Sequence, residues 1–119
     1  MSEMEFCMDF SKKLIGSTSS TLILAVIGEQ DRHGYSIVQR VNELSGGSFQ
    51  WCEGTIYPSL HRLEKQGLLS GRWTKSPSGH RRRVYSLTQS GRDELEEQSS
   101  EWSSFASTVD QVLRACHAT

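Results

Sequence analysis

The feature that most constrains this chain is a change of hydrophobic period at Gly67. Ahead of it apolar residues recur at helical spacing, with Ile56, Leu60 and Leu63 at i, i+4 and i+7. Behind it, two short extended runs (residues 69–75 and 82–87) flank Ser76-Pro77-Ser78-Gly79. Proline in second place and glycine in fourth suit a type I turn, so the two runs are expected to pair as an antiparallel hairpin.

Three helices are expected before that switch. Residues 17–27 are apolar almost all round, through Leu22, Ile23, Ala25, Val26 and Ile27, and belong in the core, with Gly28 as their end. Asp31 is a fitting cap for a second helix over 33–44, whose Tyr35, Ile37, Val38, Val41 and Leu44 repeat at helical spacing. Ser45-Gly46-Gly47-Ser48 is a turn, and residues 49–51 form a very short strand. The third helix covers 54–66. Pro58 is expected in its first turn, where a missing N–H costs nothing.

After the hairpin, Thr88 caps a long helix running to about 115, with Asp93, Glu94, Glu96 and Glu97 favoured by its dipole. Leu95, Trp102, Phe105, Val109 and Val112 follow at spacings of 7, 3, 4 and 3, a seam like that of a coiled coil. Too little chain remains to cover that seam, so its expected partner is the same seam of a second copy.

The order of elements is helix, helix, short strand, helix, hairpin. This is a mainly α fold with a small β-hairpin (α+β), a winged helix-turn-helix over residues 17–88. A helical N-terminal segment (1–16) precedes it and a dimerisation helix (89–119) follows. A chain of 119 residues makes one such domain.

Charge gives the fold a direction. The net charge is only -1, yet residues 61–92 hold eight Lys/Arg against one Asp/Glu. Residues 93–119 hold one Lys/Arg against six Asp/Glu. The basic stretch covers the second half of the third helix and the whole hairpin, the two elements a winged helix lays on double-stranded DNA. Thr55, Tyr57, Ser59, His61 and Arg62 are the expected solvent-facing residues of the recognition helix, offering hydroxyl, imidazole and guanidinium groups to phosphates and base edges. Tyr57 has partial burial as its alternative. Around the wing turn, Lys75, Gly79, His80, Arg81, Arg82 and Arg83 are the expected contacts. Strand alternation puts Arg81 and Arg83 on one face and Arg82 on the other. Lys12 and Lys13 are further candidates for phosphate contact. Glu64 and Lys65 are expected on a solvated face, where Glu64 would repel phosphate. Tyr35 is expected in the core, and Trp51 and Trp73 in core or hairpin packing.

Other classes find little support. No apolar run reaches the roughly 20 residues of a membrane span, and the acidic start does not resemble a signal peptide, so a cytoplasmic protein is expected. Cys7, Cys52 and Cys116 lie far apart and are expected to be reduced and structural, with a redox sensor as the alternative. His33, His61, His80 and His117 form no metal-ligand spacing, so neither metal nor cofactor is expected. No nucleophile–base pair or phosphate-cradling glycine loop points to an enzyme. The competing reading is a winged-helix module that joins proteins without binding DNA; the run Arg81–Arg82–Arg83 counts against it.

Three blocks, HGYSIVQRV (residues 33–41), EGTIYPSLHRLEKQGLL (53–69) and RRRVYSLTQSGRDEL (81–95), resemble the signature blocks of PadR-type transcriptional regulators. The resemblance covers residues 12–95 and is closest to the compact subfamily. It implies a homodimer built by the first and last helices, a two-fold symmetric (palindromic) operator, and repression relieved by an effector. It matches Tyr57, Pro58 and Arg62 to the recognition-helix block and residues 79–83 to the wing. Trp102 falls where some compact members stack flat drugs between subunits. This implies a hydrophobic or aromatic small-molecule effector, with Trp102 as both dimer packing and pocket wall.

Overall fold

A computed structural model describes residues 18–117. The expected helix over 1–16 and the candidates Lys12 and Lys13 lie outside the described residues. The elements are α1 (Ser19–Glu29), β1 (Arg32–His33), α2 (Gly34–Leu44), α3 (Glu53–Lys65), β2 (Leu69–Lys75), β3 (Arg81–Leu87) and α4 (Gln89–His117). The three strands form one antiparallel sheet in the order β1-β3-β2. The α+β winged helix-turn-helix with a long last helix is therefore the observed fold.

The core is where the apolar stripes of three helices meet the inner face of the sheet. Ile23, Leu24 and Ile27 of α1, Ile37 and Val41 of α2, and Ile56, Leu60 and Leu63 of α3 pack with Trp51, Leu69, Tyr85 and Leu87. Both motif helices end in the same way. Gly46 and Gly67 take positive φ, so Gly46 N–H reaches Glu43 and Gly47 N–H reaches Asn42, while Gly67 N–H reaches Glu64 and Leu68 N–H reaches Leu63. These paired bonds close the last carbonyls of α2 and α3, and glycine is favoured where the backbone turns left-handed.

Several local expectations are corrected. Gly28 does not end α1, which continues to Glu29. Its missing Cβ lets Leu87 and Leu95 close in, at 3.3 and 3.4 Å from where that atom would be. His33, not Asp31, caps α2, its Nδ1 accepting the Ser36 N–H at 3.5 Å. Asp31 instead meets Arg72 at 3.1 Å. The expected strand over 49–51 shrinks to a single bridge at Phe49, and the third strand is β1. Pro58 is the sixth residue of α3, beyond its first turn, so the helix gives up one backbone bond there. Exposed Gly54, the residue whose carbonyl loses its donor, keeps that cost small. Tyr35 is 54% exposed and stacks on His33, with Leu44 also exposed, so neither enters the core. Cys52 is disulfide-bonded, against the expectation of unlinked cysteines, whereas Cys116 is free and exposed.

The α1–α2 corner is tied by an ion network. Glu29 accepts Arg40 at 2.8 and 2.9 Å and Arg32 at 2.9 Å. Arg40 above all, with Arg32 behind it, holds the Glu29 carboxyl at about 2 against an ordinary 4.5. A depressed folded-state pKa contributes stability that is fully present above the unfolded value and is lost as pH falls through the folded one. Glu29→Gln should therefore have a lower urea midpoint than the parent at pH 6, and the two midpoints should converge as pH approaches 2. Equal midpoints at pH 6 would show that the network contributes nothing.

Candidate nucleic-acid interface

The start of α3 is set by Asn42 of α2. Its side-chain amide accepts Trp51 N–H at 2.8 Å and donates to the Trp51 carbonyl at 3.0 Å, pinning the strand of chain that enters α3. Sequence reasoning missed this residue; its signal was an asparagine in the second half of an amphipathic helix, where it is a poor helix former. Tyr57, in the second turn of α3, lies across the N-terminus of α2. A Cβ on Gly34 would meet the Tyr57 hydroxyl at 2.9 Å, so glycine is what lets the two motif helices close here. The Tyr57 hydroxyl also donates to Glu53 at 3.4 Å, and burial with that neighbouring carboxylate pushes its pKa up.

The expected contacts on α3 divide in two. Tyr57, His61 and Arg62 are exposed, as expected. Thr55 and Ser59 are half-buried instead, and the Thr55 hydroxyl donates to the Cys52 carbonyl at 2.7 Å within the first turn. Arg62 reaches back to the Ser20 hydroxyl of α1 at 2.9 Å.

The wing is in register from Leu69↔Leu87 to Lys75↔Arg81. Gly79 N–H bonds Ser76 O at 2.8 Å, and Ser76 N–H bonds His80 O at 2.7 Å. With Gly79 at φ 87°, this is a type I turn closed by a residue that must turn left-handed. Lys75, Gly79, His80 and Arg81 are exposed there. Ser78 Oγ sits 3.0 Å from His80 Nδ1, stiffening the tip.

The three arginines separate as alternation requires. Arg81 and Arg83 share a face and both lie over the exposed Trp73 ring, at 4.7 and 5.5 Å from its centroid. Arg82 is half-buried on the opposite face, its Nε enclosed without a hydrogen-bond partner. Burial first, then the Arg82 charge, hold the His33 imidazole below its ordinary pKa of 6.5. Arg83 is engaged within the chain, forming a two-point contact with Glu64 of α3. The expectation of a solvated Glu64 is thereby corrected: it is half-buried under the wing. Arg83 first of all, against some burial, holds the Glu64 carboxyl below its ordinary range. Among the described residues Lys75, Arg81 and Arg82 carry no salt bridge, and no group of three His, Cys, Asp or Glu side chains is arranged to hold a metal.

The last helix starts inside the domain and leaves it. Thr88 caps it by accepting the Gly91 N–H at 3.0 Å. Leu95, the first residue of the expected seam, is half-buried against the core of its own chain. Thr21 of α1 donates to Gln98 at 2.6 Å. Beyond that point Trp102, Phe105, Val109 and Val112 are exposed, joined by Leu113, which the seam had not included. No helix among the described residues is long and apolar enough to cross a membrane.

Two helices at a tight turn, a three-stranded sheet and a basic hairpin beside the second helix define a winged-helix protein. The sequence profile of the transcriptional regulator PadR-like family matches residues 23–97. The chain belongs to that family of transcriptional regulators. It is 40% identical over 75 residues to the transcriptional regulator Rv3488 of Mycobacterium tuberculosis, covering 63% of this chain and 66% of that one. The crystal structure of the PadR-like regulator BC4206 from Bacillus cereus superposes with a TM-score of 0.73 at 28% identity, covering 86% of this chain and 97% of that one. Bacillus subtilis PadR in complex with operator DNA superposes with a TM-score of 0.62 at 27% identity, covering 68% of this chain. The match spans 46% of that PadR, under half its length.

Proposed function

We propose that this regulator binds a two-fold symmetric operator as a homodimer and represses, with release by a hydrophobic or aromatic small molecule. One observation carries the DNA-binding part: exposed Tyr57, His61 and Arg62 on α3 lie on the helix that Glu64 ties to a wing whose Lys75, Arg81 and Arg82 have no acidic partner among the described residues. Unneutralised cations beside a helix with exposed polar groups suit a polyanion, and they disfavour a module that only joins proteins. The likeness to a PadR bound to operator DNA supports the same reading. Its test is a gel shift with DNA from upstream of the protein's own gene, with unrelated duplex as competitor. A shift that survives competitor supports sequence-specific binding; a shift removed equally by any duplex, or none, counts against it.

The projecting part of α4 supports the dimer reading. Trp102, Phe105, Val109, Val112 and Leu113 expose 39 to 61% of their surface in the single chain. Apolar side chains recurring at heptad spacing are best covered by the same face of a second copy. Trp102→Glu would place an unpaired charge in that seam, at about 3–5 kcal/mol if fully buried. Light scattering should show a dimer for the parent and a monomer, or a much weaker dimer, for the variant; unchanged mass would exclude the seam. Trp102 and Phe105, with ring centroids 6.2 Å apart, also wall a cleft of about 650 Å³ against α1, a place for a flat ligand.

A further inference from the structure

Glu64 is the single acidic residue between 61 and 92, a stretch with eight Lys/Arg. By charge alone it opposes a polyanion, yet its carboxylate ties α3 to the wing. It takes Arg83 of β3 at two points, and the Gly71 backbone of β2 comes near enough to help hold its carboxyl below the ordinary range. Gly71 makes room for this. A Cβ there would sit 2.6 Å from Arg83 Nε and 2.8 Å from its Cζ, so the guanidinium lies flat on the β2 backbone. Trp73, opposite Arg83 in register, lies over the same guanidinium.

We propose that Glu64, with Arg83 and Gly71, is a positioning device that fixes the angle between the recognition helix and the wing, so that sequence discrimination depends on a negative charge set into the basic surface. Arg83 is then a positioning residue and not a phosphate contact. This inference rests on the DNA-binding reading above. Two contacts from one carboxylate to one guanidinium, itself laid on the β2 backbone and under Trp73, leave the hairpin little freedom to rock on α3. A planar two-point pair also sets orientation as well as distance.

Glu64→Gln in the full chain separates this from simple electrostatics. Without DNA, exchange of the Arg83 Nε proton with water should accelerate roughly tenfold or more, the worth of one hydrogen bond to a charged group. With DNA, removing a negative charge alone would raise affinity for the shifted upstream fragment and for unrelated duplex equally. The positioning role requires the ratio of the two affinities to fall, by roughly tenfold on the same basis, while affinity for unrelated duplex is unchanged or higher. Arg83→Lys keeps the positive charge but not the two-point geometry. It should lose the same ratio, and it serves if the Gln variant fails to fold. An equal rise on both duplexes, unchanged Arg83 Nε exchange, or a parental ratio in Arg83→Lys would each overturn the proposal. If the parent chain itself prefers no duplex, the DNA-binding reading fails, and the exchange measurement still decides whether the clamp exists.

Discussion

Gly91→Ala should cost about 2 kcal/mol of folding stability net: an overpacking cost of about 3 kcal/mol, the upper end of the usual range, less the roughly 1 kcal/mol that alanine gains in a helix. Gly91 is buried in the first turn of α4, and a Cβ there would lie 2.1 Å from the Leu68 carbonyl oxygen and 3.0 Å from Leu87 Cδ2. The obstacle is backbone, so no rotamer relieves it. The start of α4 would have to lift off the β2 entrance, straining the Thr88 N–H bond to Leu68 at 3.1 Å and the Thr88 hydroxyl bond to Gly67 at 2.6 Å. Against this, alanine gains roughly 1 kcal/mol of helix propensity over glycine, so the clash wins. A urea midpoint equal to or above the parent's would show that α4 tolerates the shift. The same contacts account for the block Leu87-Thr88-Gln89-Ser90-Gly91: leucine fills the core, threonine caps, and glycine three residues on admits the Leu68 carbonyl.

Replacing Arg81 and Arg82 together by alanine should abolish measurable operator binding. Loss of two cationic contacts per subunit at about 1–3 kcal/mol each amounts to a hundredfold or more in affinity. Each phosphate contact removed also flattens the salt dependence, so the slope of log affinity against log salt should fall by about one per contact. The two arginines lie on opposite faces of β3, one over Trp73 and one beside His33, so the single variants should be unequal. Titration by fluorescence anisotropy at several salt concentrations measures both effects. Parental affinity and slope in the double variant would remove the wing from the interface.

The helices and the hairpin were legible because each carries a period or a turn signal over several residues. The two-residue β1 carries neither; only its pairing of Arg32 with Tyr85 and His33 with Val84 makes it a strand. Leu95 and Trp102 share one heptad seam, but periodicity cannot tell which surface covers an apolar side chain. Leu95 faces its own core, while Trp102 projects past it. Tyr35 keeps helical phase with Val38 and Val41, yet it sits in the first turn, where the domain no longer covers it, and stacks on His33 instead. At the site, alternation correctly split the arginines. Glu64 was misplaced because a lone acid among cations looks solvated until the fold brings Arg83 to it.

The most direct measurement is a hydroxyl-radical footprint of the protein on the fragment it shifts. A homodimer reading DNA with α3 and the wing requires two protected half-sites related by two-fold symmetry, with centres about 10 base pairs, one helical turn, or a multiple of that apart. In the Arg81/Arg82 double-alanine variant the backbone protection flanking each half-site should be the first to disappear. A single unpaired footprint, or uniform protection along the fragment, would contradict the proposed mode of binding.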